Sequence, residues 1–467
     1  MNSWSGISLD SRRAMVFFAT GSAAFDFYGG DRSGMNLFAN SVVALDARTG
    51  ERVWHFQTLH HDVWDHDLPA PPVLVTVQHD GRRVDAVAQV TKTGYVYVFD
   101  RDTGEPLFPV HERPVPQSDL PGESTWPTQP IPAKPAPFVR QELTEEDITD
   151  ISPEAHEYVL NRFRQLRAGP LFTPPSLEGT LFRPGTWGGA EWSGGAFDPE
   201  HGVLYVNANE IPSVIQLVPR EEISAEATPV TMGRRLFQMN GCAGCHGADR
   251  AGGGDGPSLE RIQDRLTHDA LLEIIRNGRG AMPAFSHLNS PDLESLISFL
   301  TSDASTSDAA DGAIAWSPAR ERPYSNVGYE KLRDQLGRPG VKPPWGTLTA
   351  IDLDEGELVW QIPLGEHPNV PEELQPTGTP NFGGAIVTAG GLLFIGATMD
   401  EKFRAIDKTT GEVLWEYKLP AGGYATPATY EFEGRQYVVI AAGGGGKNAT
   451  PSADAYVAFA LPRARTE

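Results

Sequence analysis

Ala44-Leu45-Asp46-Ala47-Arg48-Thr49-Gly50-Glu51-Arg52-Val53-Trp54 is the stretch on which the fold turns, because its skeleton, A-x-D-x-x-x-G-x-x-x-W, occurs again from Ala350 to Trp360 and from Ala405 to Trp415. A weaker copy runs from Val98 through Asp100 and Gly104 to Phe108. Recurrence at a fixed spacing is the mark of an architecture built by repeating one supersecondary unit. Each copy reads as an alternating strand, an Asp-x-x-Thr-Gly type turn and a second strand ending in an aromatic, which is hairpin chemistry. A further hairpin precedes it: Trp4-Ser5-Gly6 leads to Asp10 and the strand Ala14 to Ala19, and Trp192-Ser193-Gly194 leads to Asp198 and the strand Val203 to Val206. Two hairpins make a four-stranded unit, and radial repetition of such units makes a β-propeller with the tryptophan packed between neighbours. A sandwich is the alternative, but a sandwich has no need of a fixed-period motif.

The expectation is about four blades plus a terminal strand pair, Gln436 to Ala442 and Ala455 to Leu461. That count allows a small closed ring or half of a large one. The third unit is interrupted, since its first hairpin ends near Asn209 and its second begins near Leu348. The intervening residues are helical: Leu271, Leu272, Ile274 and Ile275 share one side of a segment that stops at Gly278, and Ser290-Pro291 opens another with Leu293, Leu296, Ile297 and Leu300 at helical spacing. A Ser/Thr/Asp/Ala segment from Thr301 to Gly312 reads as a linker. The expected domains are propeller blades over 1–220, an inserted all-α domain over 221–310 and further blades over 311–467. Thr144 to Arg167 is expected to be helical decoration without a functional reading.

A length of 467 residues predicts two to four domains unless one is a large all-β unit, and 49 glycines with 39 prolines argue against an ordinary helical bundle. The net charge of −23 repels phosphate backbones and anionic headgroups, which excludes nucleic acid as a partner. The apolar stretches are too short for a membrane span. Met1-Asn2-Ser3-Trp4 lacks the basic start and apolar core of an export peptide, so the protein is expected to stay inside or its beginning to be missing. Two cysteines make no disulfide framework and must be read as chemistry.

Those cysteines stand in Cys242-Ala243-Gly244-Cys245-His246. Two thiols at this spacing can add across the vinyl groups of a haem, with the adjacent His246 as an axial ligand. A zinc site would need a second cysteine pair, and a thioredoxin-like pair a βαβ setting. The other axial ligand is expected from Met282, in Arg279-Gly280-Ala281-Met282-Pro283; His268 and His287 compete for the role but flank helices like surface histidines. Over Gly233 to Leu300 the segment resembles class I cytochromes c. A second polar cluster, His60-His61-Asp62-Val63-Trp64-Asp65-His66-Asp67-Leu68-Pro69, admits either a metal site or a solvated polar loop, and spacing does not choose between them. Lys92, taken alone, reads as a surface charge.

Gly29-Gly30-Asp31-Arg32, His60 to Pro69, Thr91-Lys92-Thr93-Gly94, Phe172 to Ser176, Lys342 to Gly346 and Ala421 to Pro427 together resemble the quinoprotein glucose dehydrogenases, over nearly everything outside the insert. The resemblance implies an eight-bladed family with about half of the blades present here, pyrroloquinoline quinone (PQQ) on the axis, and a divalent cation, calcium or magnesium, whose ligands are mostly absent from this chain. It implies that Asp65 takes the substrate hydroxyl proton, Lys92 holds the quinone oxygens, Trp4 stacks under the quinone and Asn207 lines the pocket. Trp4 as a packing residue and Asn207 as a turn residue remain the plain alternatives. The resemblance further implies a periplasmic enzyme that oxidises an aldose or alcohol and passes electrons through haem c to an external cytochrome, copper protein or quinone. The rival expectation is an electron-transfer or scaffolding protein whose truncated propeller merely carries a cytochrome.

Overall fold

The computed structural model describes residues 2–219, 228–247, 250–252, 256–280, 282–285, 288, 290–302 and 323–462. Every copy of the repeat forms the same turn. The aspartate carboxylate accepts from the two N–H groups that follow: Asp46 Oδ1 from Arg48 and Thr49, Asp100 from Asp102 and Thr103, Asp352 from Asp354 and Glu355, and Asp407 from Thr409 and Thr410. The backbone then needs a left-handed residue, and Gly50, Gly104, Gly356 and Gly411 supply it at φ 75°, 74°, 68° and 78°. In the three strong copies the register shifts directly after the alanine, between Ala44 and Leu45, Ala350 and Ile351, and Ala405 and Ile406. Such a bulge increases the local twist.

The hairpins assemble into successive antiparallel sheets. The first is Ser8–Asp10, Met15–Ala19, Ser41–Asp46 and Arg52–Gln57; the second is Val73–His79, Arg82–Val90 and Val96–Asp100, with its outer strand reduced to a bridge between Phe99 and Pro106. The third joins Ala196–Asp198 and Val203–Asn209 to Gly346–Asp352 and Glu357–Pro363, in unbroken register from Val203 opposite Asp352 to Asn209 opposite Gly346. The interruption expected from sequence therefore leaves the sheet intact. The fourth is Ala385–Val387, Leu392–Ile395, Lys402–Asp407 and Val413–Lys418. The last has three strands, Ala428–Phe432, Arg435–Gly445 and Thr450–Phe459, rather than the expected pair. Its first strand is exposed at every residue and so carries no buried apolar face to announce it.

Neighbouring sheets clasp through the repeat itself. The Trp54 indole lies where a Cβ on Gly104 would come within 2.5 Å of it, and its N–H donates to the Arg101 carbonyl at 3.0 Å. Phe108 lies against Gly356 in the same way, and Trp360 against Gly411 with its N–H on the Lys408 carbonyl at 3.2 Å. The turn glycine thus serves twice, as the left-handed residue and as the bare surface on which the preceding sheet's aromatic rests. The architecture is mostly β and propeller-like.

In the region expected to be helical decoration, α1 (Pro153–Phe163) packs Val159 and Phe163 into a core with Trp345. The insert leaves after Leu217–Pro219 and returns at Tyr324–Asn326, and these two strands pair antiparallel. Between them lie α2 (Pro229–Met239), α3 (Cys242–His246), α4 (His268–Asn277) and α5 (Ser290–Thr301), packed on a core that includes Phe237, Leu271, Ile275, Leu293 and Leu296. Thr267 caps α4 by accepting from the Ala270 N–H, and Gly278 ends it at φ 76°. The expected domain boundaries at 220/221 and 310/311, and most of the linker, lie outside the described residues.

Candidate active site

The loop His60 to Pro69 is held from within. Asp62 accepts from the N–H groups of Trp64 and His66, from the Asn40 side chain at 2.9 Å and from the Ser22 hydroxyl. His60 bonds Gln57 and Glu112, His61 bonds Glu123 and the Gly34 carbonyl, and His66 bonds the Pro184 carbonyl. Its histidines are therefore structural partners, and the loop is a polar scaffold rather than a metal centre. Among the described residues one trio, Asp198, Glu200 and His201, has metal-ligating atoms close together; it lies elsewhere, and Asp198 already holds the Lys408 ammonium at 2.7 Å.

What this scaffold presents is Asp65. Its backbone sits at φ 57°, a left-handed conformation that costs a non-glycine residue on the order of 1–2 kcal/mol and is commonly found where function demands it. The Lys92 ammonium reaches the Asp65 carbonyl at 2.9 Å, its carboxylate at 3.3 Å and the Asp67 carboxylate at 2.5 Å. Asp67 in turn accepts from the Trp4 indole N–H at 2.5 Å. Side-chain exposure is 8% for Lys92 and Asp67 but 21% for Asp65, so solvent reaches one carboxylate of this trio best. Burial pushes the Asp65 carboxyl up to about 7, with Lys92 pulling it down and Asp67, Asp26 and Asp62 adding to the rise. Burial alone would lower Lys92, but Asp65 and Asp67 outweigh it and hold the ammonium above its ordinary value. The site thus contains a base poised near neutrality beside a permanent cation.

Asn207 lies on the third sheet, its amide donating to Asn381 Oδ1 at 2.7 Å and to the Gly383 carbonyl at 2.9 Å. The end of its strand is linked to the lysine through Gly189, whose N–H donates to the Lys92 carbonyl at 2.6 Å and whose carbonyl accepts from the Asn209 N–H at 3.0 Å. Beside them Glu191 is buried, and its carboxyl is pushed up to about 8 against the pull of Lys447, Lys92 and Lys331. Trp4, Asp65 and Lys92 are thus joined through the Lys92 ammonium and Asp67, while the Asn207 side chain is committed to Asn381 and Gly383. The sequence reading missed the anchoring role of Asp67, although it stands in the polar cluster, and it missed Glu191, Asp26 and Tyr329, which carry no motif.

These groups suit a planar, electron-poor, anionic ligand. Trp4 is 47% exposed although its N–H is anchored on Asp67, which leaves apolar ring surface open near the buried Lys92 ammonium. They do not suit a divalent cation, because the Lys92 ammonium already occupies the space between Asp65 and Asp67.

In the helical unit, Cys242 is half-buried and Cys245 exposed, both on the single turn of α3. His246 Nδ1 bonds the Pro257 carbonyl at 2.8 Å, which fixes the tautomer and leaves Nε2 with its lone pair for a metal. Met282 and Cys242 pack against the same core. His268 is committed to Glu294 at 2.9 Å, and His287 lies outside the described residues. The donor set fits a covalently held haem.

Residues 1–242 and 285–438 match the family described as glucose/ethanol/alcohol dehydrogenase, β-propeller domain, known by the cofactor abbreviation PQQ. Residues 228–300, spanning the break, match cytochrome c oxidase, cbb3-type, subunit III. The chain is 36% identical to the glycerol dehydrogenase large subunit of Gluconobacter thailandicus, over 99% of this chain and 55% of that protein. It is 33% identical to the quinoprotein glucose dehydrogenase of Escherichia coli, over 99% of this chain and 49% of that protein. In structure it resembles the quinohemoprotein alcohol dehydrogenase of Comamonas testosteroni, with a TM-score of 0.53 at 19% identity, over 98% of this chain and 48% of that one, a likeness of fold. The chain spans about half the length of the relatives it matches.

Proposed function

The chain belongs to the PQQ β-propeller dehydrogenase family, and on that premise we propose that it oxidises a hydroxyl-bearing substrate, an aldose or alcohol, and passes the electrons to a c-type haem on its inserted helical domain. The observation that carries the reading is Asp65, a solvent-reached carboxyl raised to about 7 and fixed at φ 57° against the Lys92 ammonium. Asp65 accepts the proton of the substrate hydroxyl. Lys92 stays charged throughout and holds negative charge that develops on an oxygen brought beside it. Trp4 offers its open face to a flat ligand, and Asn207, both of whose amide protons are donated to Asn381 and Gly383, has its carbonyl oxygen to offer. Bound PQQ would supply the two-electron acceptor, and haem held by Cys242, Cys245, His246 and Met282 a one-electron acceptor, at a potential favoured by methionine ligation. No step is assigned to a divalent cation.

In this reading the blades occupy 1–220 and 311–467 of an eight-bladed arrangement, the cytochrome c domain 221–310, and the cell compartment is the periplasm, where covalent haem and an external cytochrome, copper protein or quinone acceptor meet. The experiment is a dye-coupled oxidation assay on purified, haem-loaded protein, with and without added PQQ and calcium, against glucose and a panel of alcohols. PQQ-dependent turnover with reduction of the haem band is the expected result. Haem that reduces with chemical donors but with no substrate at any PQQ concentration would overturn the dehydrogenase reading for this chain and leave an electron-transfer protein.

A further inference from the structure

The residues on either side of Asp65 send their amides to one carboxylate. Asp62 Oδ1 accepts from the Trp64 N–H at 2.8 Å and Asp62 Oδ2 from the His66 N–H at 3.0 Å, so the backbone before and after Asp65 is drawn onto the same side chain. That side chain is itself fixed. It is buried, and Oδ2 also accepts from the Asn40 amide at 2.9 Å and from the Ser22 hydroxyl. Asn40 grips His66 a second time by donating to its carbonyl at 3.2 Å. The flanking side chains are anchored on distant parts of the chain: the Trp64 indole N–H donates to the Thr173 carbonyl at 2.9 Å, and His66 Nε2 to the Pro184 carbonyl at 3.3 Å. Trp64 and His66 are buried, whereas Asp65 between them keeps its side chain open to solvent.

We propose that Asp62 is a positioning residue, a two-oxygen clamp that imposes the left-handed backbone of Asp65 and so directs the Asp65 carboxylate to the substrate hydroxyl. The inference rests on the reading of Asp65 as the base. Left to itself, a residue with a Cβ abandons φ 57° for the extended or right-handed region. Such a conformation persists only where its surroundings over-determine it, and here two amide bonds to Asp62 and the anchors on Asn40, Thr173 and Pro184 do so. Lys92 bonds Asp65 directly, whereas Asp62 bonds its neighbours, so Asp62 acts through Asp65 rather than on substrate. The chemistry of the clamp calls for a carboxylate. Both oxygens must accept, and an amide in the same place would turn an NH2 group toward one of the two backbone N–H groups. A slackened clamp lets the base wander, and a misplacement of about 1 Å costs a reaction on the order of 10²-fold.

The test uses the full haem-loaded chain with PQQ and a dye acceptor, as wild type, Asp62→Ala, Asp62→Asn, Asp65→Asn and the double variants at both positions. With glucose or ethanol as substrate, each Asp62 variant is expected to lower kcat by roughly 10–100-fold and to leave KM within about threefold, since the clamp aims a base and binds no substrate. In the Asp65→Asn background the same changes should lower the residual kcat by no more than about twofold, because nothing is left to aim. A merely structural Asp62 would lower both backgrounds alike, and equal losses overturn the proposal. Amide hydrogen exchange reads the clamp without turnover: in Asp62→Asn, exchange at Trp64 or His66 should quicken about tenfold or more while strands Val73–His79 and Val203–Asn209 keep their protection. If Asp62→Ala folds poorly, Asp62→Asn, of the same shape and with one oxygen left, carries the test. Unchanged exchange at both amides in that variant overturns the clamp. A wild-type chain without turnover at any PQQ concentration, but with the exchange quickened in the variant, upholds the clamp while the dehydrogenase reading falls. Normal wild-type turnover with kcat untouched by Asp62→Asn does the reverse.

Discussion

Asp65 has its carboxyl raised to about 7, so the proposed oxidation should depend on pH near neutrality. A base works when deprotonated, so kcat/KM is expected to rise with pH through about 7 and level above it. Asp65→Asn should remove this limb and lower kcat by roughly 10²–10⁴-fold, the usual worth of a positioned base. Lys92 pulls the Asp65 carboxyl down, so Lys92→Met should move the limb to higher pH in the variant's residual activity. The same substitution strands Asp65 and Asp67 without their cation, and breaking a buried pair costs about 3–5 kcal/mol, readable as a lower denaturant midpoint. Of these groups, Asp65 and Lys92 stand inside two of the runs that carry the resemblance, His60 to Pro69 and Thr91 to Gly94, whereas Trp4 and Asn207 stand in none of them and were expected at the site only by what the resemblance implies. Asp26 and Tyr329 were not, because they stand 303 positions apart in sequence, are brought together by the fold alone, and belong to no spaced motif.

The hairpin was legible because its chemistry is local: an aspartate accepting from the amides two and three residues on and a glycine at positive φ require no knowledge of distant residues. The helical insert was legible for a similar reason, since apolar spacing, the Thr267 cap and Gly278 all act within a few turns. Ala428–Phe432 was missed because both its faces meet solvent, so alternation had nothing to report. How one sheet grips the next was half legible: the recurring tryptophan announced an inter-sheet role, but its partners, the next turn's glycine and the carbonyl beside that turn, appear only in three dimensions. This grip makes a comparison within one chain. Trp54→Phe leaves the Arg101 carbonyl unsatisfied and should cost roughly 1–3 kcal/mol in equilibrium unfolding. The indole N–H of Trp415 makes no hydrogen bond among the described residues, and its ring is 39% exposed. Trp415→Phe should therefore stay within about 0.5 kcal/mol of the parent, as surface changes do. Equal losses at the two positions would show that packing area, rather than the indole bond, holds the sheets together.

At the scale of the whole molecule, the same clasp runs from Trp54 to Gly104, from Phe108 to Gly356 and from Trp360 to Gly411, and then stops at both ends. Gly50, the first turn glycine, has no atom within 4 Å of where an aromatic would rest, and the last sheet offers Trp415 no matching turn among the described residues. The faces so exposed are apolar: Ile7 and Leu9 at the first strand are 67% and 59% exposed, and Phe432 and Tyr456 on the last sheet 59% and 82%, next to strands Val413–Lys418 and Ala428–Phe432 that are uncovered along their length. Large apolar faces and open strand edges seek a partner. A partner that fits both ends is another unit of the same repeat, with one aromatic for Gly50 and one glycine for Trp415. Alone, the chain is then expected to bind a hydrophobic dye and to associate with rising concentration in sedimentation velocity. Phe432→Ser with Tyr456→Ser should reduce both, since neither side chain is buried. A chain that stays monomeric and dye-silent would mean that solvent tolerates these faces, and the clasp would then end where Gly50 and Trp415 leave it.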